Sequence, residues 1–304
     1  MQEAYVSTAQ QHMAILASVD ADGVEFALPA AAPGEFKALE RIDAHQCPTF
    51  TDALMRYAAG HRIALRDCRL IMSIAGAVIA KTVRTTNGRW FISLSGLQAV
   101  TSGAPLVVND VGATAWATAD QPRTTPFGRA ANVRPADVGR HAVVYAGRGL
   151  GAACVDRNSG RVKIGESEAG HIPFAVQSEA DWNLASASIR RHGEASYERV
   201  ICDLMENAEA PLQKSGDRDE RLTELLANYC ATIALTFAAW DGLYLTGHLF
   251  DRIAGPLHAG AFRTTFEGRG KMRGMLGQVP IRLLQLPHSS LSGLSILHGR
   301  TLAN

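Results

Sequence analysis

Short apolar runs of strand length alternate with longer segments of helical period along this chain, and that alternation leaves few architectures open. Residues 12–19 read as a strand, Asp20 to Gly23 as a turn, and VEFALP as a second strand. PTFTDALMRYAAGH spaces Phe50, Leu54 and Tyr57 at helical intervals, with Gly60 placed to cap the end. CRLIMSIAGAVIA reads as a buried strand ending at Ala75-Gly76, KTVRTTNGRWFIS turns at Asn87-Gly88, and PLVVND is a short strand that hands over to a helix in GATAWATA. The second half repeats the opening: HAVVYAG, a glycine-rich turn GRGLG, AACVD, then a hairpin turn at RNSG into RVKIGES. SEADWNLASASIRRHG is helical. ERLTELLANYCATIALTFAAW is a longer helix with Leu222, Leu225, Leu226, Tyr229, Ile233 and Trp240 on one face, stopped by Asp241-Gly242. GLYLTG is a strand, HLFDRIAGPLH a helix and QVPIRLLQL a late strand. The pattern predicts α/β architecture with an open mixed sheet. The likeness of the two openings hints at duplication.

Polar residues collect where those apolar runs end. Asn109 and Asp110 stand in PLVVNDVGATAWAT, Glu168 and His171 in GESEAGHIPF, and Glu198 in ASYERV. Junctions of this kind lie at the mouth of an α/β sheet, where ligands bind. An amide, an imidazole and three carboxylates suit a neutral ligand rich in hydroxyls, because a carboxylate accepts from two of them and an amide both donates and accepts. Taken singly, each motif has a plainer reading. Asn-Asp ends a strand and caps a helix. Glu-x-x-His sits in a surface loop, and Glu198-Arg199 forms a solvated pair. Only their joint occurrence favours a site.

The 304 residues suggest two domains and bury a large core without covalent staples. A net charge of +1 without a block of Lys or Arg gives nucleic acid no basic stripe. Five cysteines with no CxxC pattern point to reduced thiols and a cytoplasmic setting, and away from a disulfide framework or zinc site. MQEAYVSTAQQHMAIL lacks the basic and long apolar regions of a signal peptide, and no run approaches the roughly 20 apolar residues of a membrane span.

In order along the chain, IAGAV with TTNGRW, VVND, VYAGRGLGAA, ESEAGHIPF, ASYERV and AFRTTFEGRGKM…VPIRLL resemble the bacterial glucokinase family, a branch of the actin-like, ribonuclease-H-like sugar kinases. The match spans about Ala14 to Leu297. The resemblance implies two α/β domains of mixed sheets flanked by helices, with sugar and ATP in the cleft between them. Residues 1–110 plus about 289–304 would form the small domain, its C-terminal helix crossing back, and 111–288 the large one. It implies transfer of a phosphoryl group from ATP, with Mg²⁺, to the primary hydroxyl of a hexose, glucose by analogy. The family's sugar-site pattern falls on Asn109, Asp110, Glu168, His171 and Glu198, with every residue type kept. Its Thr-Asn-x-x-Trp run falls on Thr86, Asn87 and Trp90. Asp110 takes the role of base, since an ordinary carboxylate is ionised at neutral pH and can receive the alcohol proton. Gly147, Arg148, Gly149 and Gly247 fall on the nucleotide side. The family also implies a homodimer, with no nucleic-acid or membrane partner.

The nucleotide side departs from the pattern. The family's Asp-x-Gly-Gly-Thr-Asn loop is here Ser18-Val19-Asp20-Ala21-Asp22-Gly23, and its Gly-Thr-Gly-Leu-Gly loop carries Arg148 for Thr. A Ser-Gly pair has become Cys202-Asp203, and a Gly-Gly pair Gly247-His248. Two readings follow. In the first, an active kinase has remodelled loops, with Arg148 on phosphate and Asp20 or Asp22 on Mg²⁺ through water. In the second, a catalytically impaired homologue serves as a sugar-binding or regulatory protein.

Overall fold

The computed structural model describes residues 13–79, 81–85, 88–119, 123–128, 138–158, 161–206, 215–302. The chain divides into two compact units, Met1–Asp120 with His288–Asn304, and Gln121–Pro287.

Unit 1 begins with β1 (Met13–Val19), β2 (Gly23–Pro29) and β3 (Phe36–Asp43), an antiparallel meander. Helix α1 (Phe50–Gly60) and β4 (Cys68–Ile74) follow. Next come β5 (Gly76–Ile79), β6 (Thr82–Thr85) and β7 (Phe91–Ser93), a small antiparallel sheet of their own. Then come α2 (Leu94–Val100), β8 (Leu106–Asn109) and α3 (Asp110–Ala117). The main sheet has the order β3-β2-β1-β4-β8, with β4 parallel to both β1 and β8. β1 is central, and Ala14 to Ala17 are buried on both of its faces, as a strand covered on both sides requires. β3 lies at the edge and alternates half-buried with exposed residues.

Helix α1 shows how sequence becomes structure here. Thr49 and Asp52 form a capping box, each side chain bonding the other's backbone N–H. Phe50, Leu54 and Tyr57 then point one buried stripe at the core. The end differs from expectation. Gly60 stays helical, and the left-handed residue is Arg62 (φ 55°). Ile63 N–H reaches Ala58 O and Arg62 N–H reaches Ala59 O, a Schellman closure. Burial of Ile63 against the core selects that geometry over a glycine cap.

The C-terminal helix Ser289–Leu302 belongs to unit 1. Its Leu291, Leu294 and Leu297 pack with Ala14, Leu16, Ala27, Ile71 and Ala113. Gly293 lies so close to α3 that an added Cβ would stand 1.7 Å from Ala113 O. This pairing is why the division of the chain follows α3 and does not cut before it.

Unit 2 contains β9 (Thr124–Pro126), β10 (Gly139–Ala146), β11 (Leu150–Asn158) and β12 (Arg161–Ser167). Helices α4 (Glu179–His192), α5 (Tyr197–Glu206) and α6 (Ser215–Phe237) follow, then β13 (Leu243–Thr246), α7 (His248–Arg252), α8 (Pro256–Glu267) and β14 (Ile281–Leu284). The sheet order is β12-β11-β10-β13-β14-β9. Its first five strands repeat the plan of unit 1: a three-stranded antiparallel meander, then two parallel strands. Alternate residues of β10 (Ala142, Val144, Ala146) face Leu225, Tyr229 and Ile233 in the core.

Two helix boundaries in unit 2 also differ from the sequence reading. α6 ends at Phe237, because Ala238 turns left-handed (φ 50°) and Ala239 N–H bonds back to Ala234 O. Trp240 therefore packs on the core from beyond the helix. HLFDRIAGPLH holds two helices, since Pro256 has no N–H to continue a ladder and opens α8 instead.

Candidate active site

In unit 1, Asn109 ends β8 and caps α3. Its Oδ1 accepts from Val111 N–H (2.9 Å) and Gly112 N–H (3.3 Å). Asp110 is the first residue of α3, where a carboxylate suits the helix dipole, and its Oδ1 accepts from Val111 N–H at 2.8 Å. Ser290 Oγ, on the C-terminal helix, lies 3.5 Å from Asp110 O. The plainer reading of Asn-Asp as strand end and cap is thus correct for the backbone, and it fixes both side chains at the end of the sheet.

The first loop of unit 1 joins β1 to β2. Asp20 Oδ1 accepts from Asp22 N–H (2.8 Å) and Gly23 N–H (2.9 Å), and Arg41 donates to both Asp20 oxygens at 2.8 and 2.9 Å. Burial would raise this carboxyl, but Arg41 and the two N–H groups outweigh it and hold it below the ordinary carboxylate range. Asp20 is therefore a turn anchor paired with a guanidinium from β3. Sequence spacing gave no sign of Arg41, 21 positions away. Among the described residues no group of three or more His, Cys, Asp or Glu side chains gathers as metal ligands. Thr86 and Asn87 lie outside the described residues. Trp90 is buried, with its indole N–H donating to Cys47 O at 3.2 Å.

In unit 2, three sequence-predicted side chains come together. Glu168 precedes a single 3-10 turn, Ala169–His171, placed just after β12. His171 Nε2 lies 4.0 Å from Glu168 Oε2, and its Nδ1 lies 3.9 Å from Glu198 Oε1. Both separations exceed a hydrogen bond. Glu198 occupies the first turn of α5, and its Oε2 accepts from Leu150 N–H at 2.8 Å. Glu198 is thus no solvated partner of Arg199, whose Nε is directed at Glu194.

The Gly147–Gly151 turn joins β10 to β11 and is closed by Gly147 N–H on Gly149 O (2.9 Å). Two of its glycines lie close to the ends of neighbouring side chains. A Cβ on Gly147 would stand 2.2 Å from Tyr145 Oη, and one on Gly149 3.0 Å from Glu198 Oε2. Gly247, at φ 104°, approaches Ala146 O, where a Cβ would come within 2.2 Å. Gly170 approaches Leu150 O within 1.9 Å on the same measure. Arg148 is exposed on this turn, and its carbonyl accepts from Cys202 Sγ–H at 3.7 Å. Burial, with Glu198, Glu206 and Asp203 nearby, pushes the Cys202 thiol up to about 12, so it remains a protonated donor. Asp203, the other half of that departure, instead receives His192 Nε2 (2.9 Å) and Arg191 Nη1 (3.3 Å) and ties α4 to α5. Gly170 and the Leu150 N–H were not singled out by sequence, since their roles depend on which loops touch.

A family model described as Glucokinase matches residues 16–204 and 220–300. The glucokinase of Chromobacterium violaceum is 28% identical over 313 residues, covering 92% of this chain and 88% of that one. A glucokinase structure from an Antarctic psychrotroph superposes with a TM-score of 0.76 at 21% identity, covering 95% of this chain and 99% of the other. One from Balamuthia mandrillaris in complex with glucose gives 0.72 at 15% identity, covering 97% and 95%.

Proposed function

The chain belongs to the glucokinase family, and from that premise we propose that it phosphorylates a hexose, glucose first among candidates, at the primary hydroxyl with ATP as donor. The observation that carries this reading is the corner of unit 2 where Glu168, His171 and Glu198 stand beside the Gly147–Gly151 turn. Hydroxyl-binding groups and a phosphate-type turn share one scaffold there. The gaps of 3.9 and 4.0 Å around His171 are too long for these side chains to satisfy one another, and a ligand hydroxyl is what they can bond.

Phosphoryl transfer needs positioned reactants, stabilised phosphate charge and an acceptor for the alcohol proton. We assign the last role to Asp110, held at the first turn of α3. Asn109, Glu168, His171 and Glu198 bind the remaining hydroxyls. A site built to bond hydroxyls rejects analogues that lack one, because its polar groups are left unpaired. Gly147, Arg148, Gly149 and Gly247 take the nucleotide phosphates, with the Arg148 guanidinium in place of a hydroxyl. Mg²⁺ would accompany the nucleotide and offset phosphate charge, with Asp20 or Asp22 reaching it through water.

The test is a coupled assay of ADP release with glucose, ATP and Mg²⁺. Turnover is expected in the wild type, and Asp110→Ala should lower kcat by roughly 10²–10⁴-fold. Turnover that survives in Asp110→Ala removes Asp110 as base, and no turnover with any hexose removes the kinase reading. A homodimer in the cytoplasm is the assembly and location we assign by kinship. Sedimentation of the purified chain checks the dimer. No helix among the described residues is long and apolar enough to cross a membrane.

A further inference from the structure

We propose that Glu198 is a positioning residue that couples the two ligands: one carboxylate faces the hexose side through Oε1 and holds the nucleotide turn through Oε2, so that occupancy of either site changes affinity at the other. This rests on the glucokinase reading above and assigns a mechanism of communication within unit 2.

Three attachments bind the Gly147–Gly151 turn to the elements that carry the hexose residues. Glu198 Oε2 takes Leu150 N–H at 2.8 Å while its Oε1 faces His171 Nδ1. Cys202, one helical turn further along the same face of α5, donates to Arg148 O at 3.7 Å. The turn bearing His171 presses on the same backbone, with Gly170 against Leu150 O. Leu150 and Arg148 flank Gly149, and Gly149 has no room for a side chain without pressing on Glu198 Oε2, 3.0 Å from an added Cβ. A hexose hydroxyl that draws on the Glu198 carboxylate therefore changes the load on Leu150 N–H and the set of the turn. The reverse holds when phosphate engages the turn, because linkage between two sites is reciprocal. Two of the departures from the family pattern, Arg148 and Cys202, meet at this second attachment.

Calorimetry on the full chain reads this directly: glucose titrated with and without a non-hydrolysable ATP analogue, and the analogue with and without glucose. Each ligand should tighten the other by the same factor, roughly fivefold or more. Gly149→Ala should weaken glucose by at least about threefold and bring the coupling factor toward one, although residue 149 lies in the nucleotide turn. Glu198→Gln should weaken the ATP analogue as well as glucose. Melting curves verify folding, and Cys202→Ala, which removes only the second attachment, should halve the coupling factor or more if Gly149→Ala does not fold. Wild type that binds both ligands with a coupling factor of one overturns the inference. So does Gly149→Ala that binds glucose as wild type does, or Glu198→Gln that leaves the analogue's affinity unchanged. Wild type that binds no hexose overturns the kinase reading itself.

Discussion

His141 sits in β10, the strand that leads into the Gly147–Gly151 turn, and it is only 1% exposed. Its ring meets Tyr244 edge-on at 5.0 Å. Burial, reinforced by the nearby Arg157 charge, pushes the imidazole down to about 3. The folded protein therefore holds this side chain neutral, while the unfolded chain binds a proton below about 6.5. Between those values the unfolded state carries more protons, so stability is fully present above about 6.5 and is lost as pH falls toward 3. Each pH unit in that window costs about 1.4 kcal/mol, so moving from pH 7.5 to 5.5 removes about 1.4 kcal/mol through this one group. Urea titrations followed by circular dichroism at the two pH values measure the loss. His141→Gln keeps a polar side chain and removes the titration. It should be less stable than wild type at pH 7.5, yet lose about 1.4 kcal/mol less between the two pH values. Equal losses in both proteins would refute the argument that a neutral imidazole is built into the scaffold behind the turn.

Two further substitutions test the framework around the candidate site. Gly170→Ala puts a Cβ against Leu150 O and should destabilise by about 1–3 kcal/mol while raising the KM for glucose, read by thermal melts and the ADP-release assay. Arg263 is buried and donates to Val279 O, Leu276 O and Gly277 O as well as Glu267, so Arg263→Met should cost about 3–5 kcal/mol by urea denaturation. A loss below about 1 kcal/mol would mean those carbonyls find other partners.

Local chemistry was legible without coordinates. Apolar periodicity gave many of the strands and helices but not β3, α2 or α5, the strand-to-helix change at Asn109-Asp110 fixed a cap and a helix start, and glycine spacing marked the 147–151 turn. Helix ends were less legible where packing competed with local preference. Ile63 closes α1 through its burial, and Ala238 ends α6 four residues before the glycine at 242. Those choices depend on which side chain reaches the core, and nearest-neighbour sequence does not carry that information.

The sequence by itself determined the repeated strand plan, the kinship to glucokinases and the set of polar residues kept at the ends of strands. Only the tertiary structure decided what those residues do to one another. Asp20 is neutralised by Arg41 across the meander, the last helix returns to pack on α3, and Glu198 takes the N–H of Leu150, 48 positions earlier. The physical reason is range. Propensity and periodicity act over a few residues, whereas a carboxylate finds its donor wherever folding brings two distant backbones within about 3 Å.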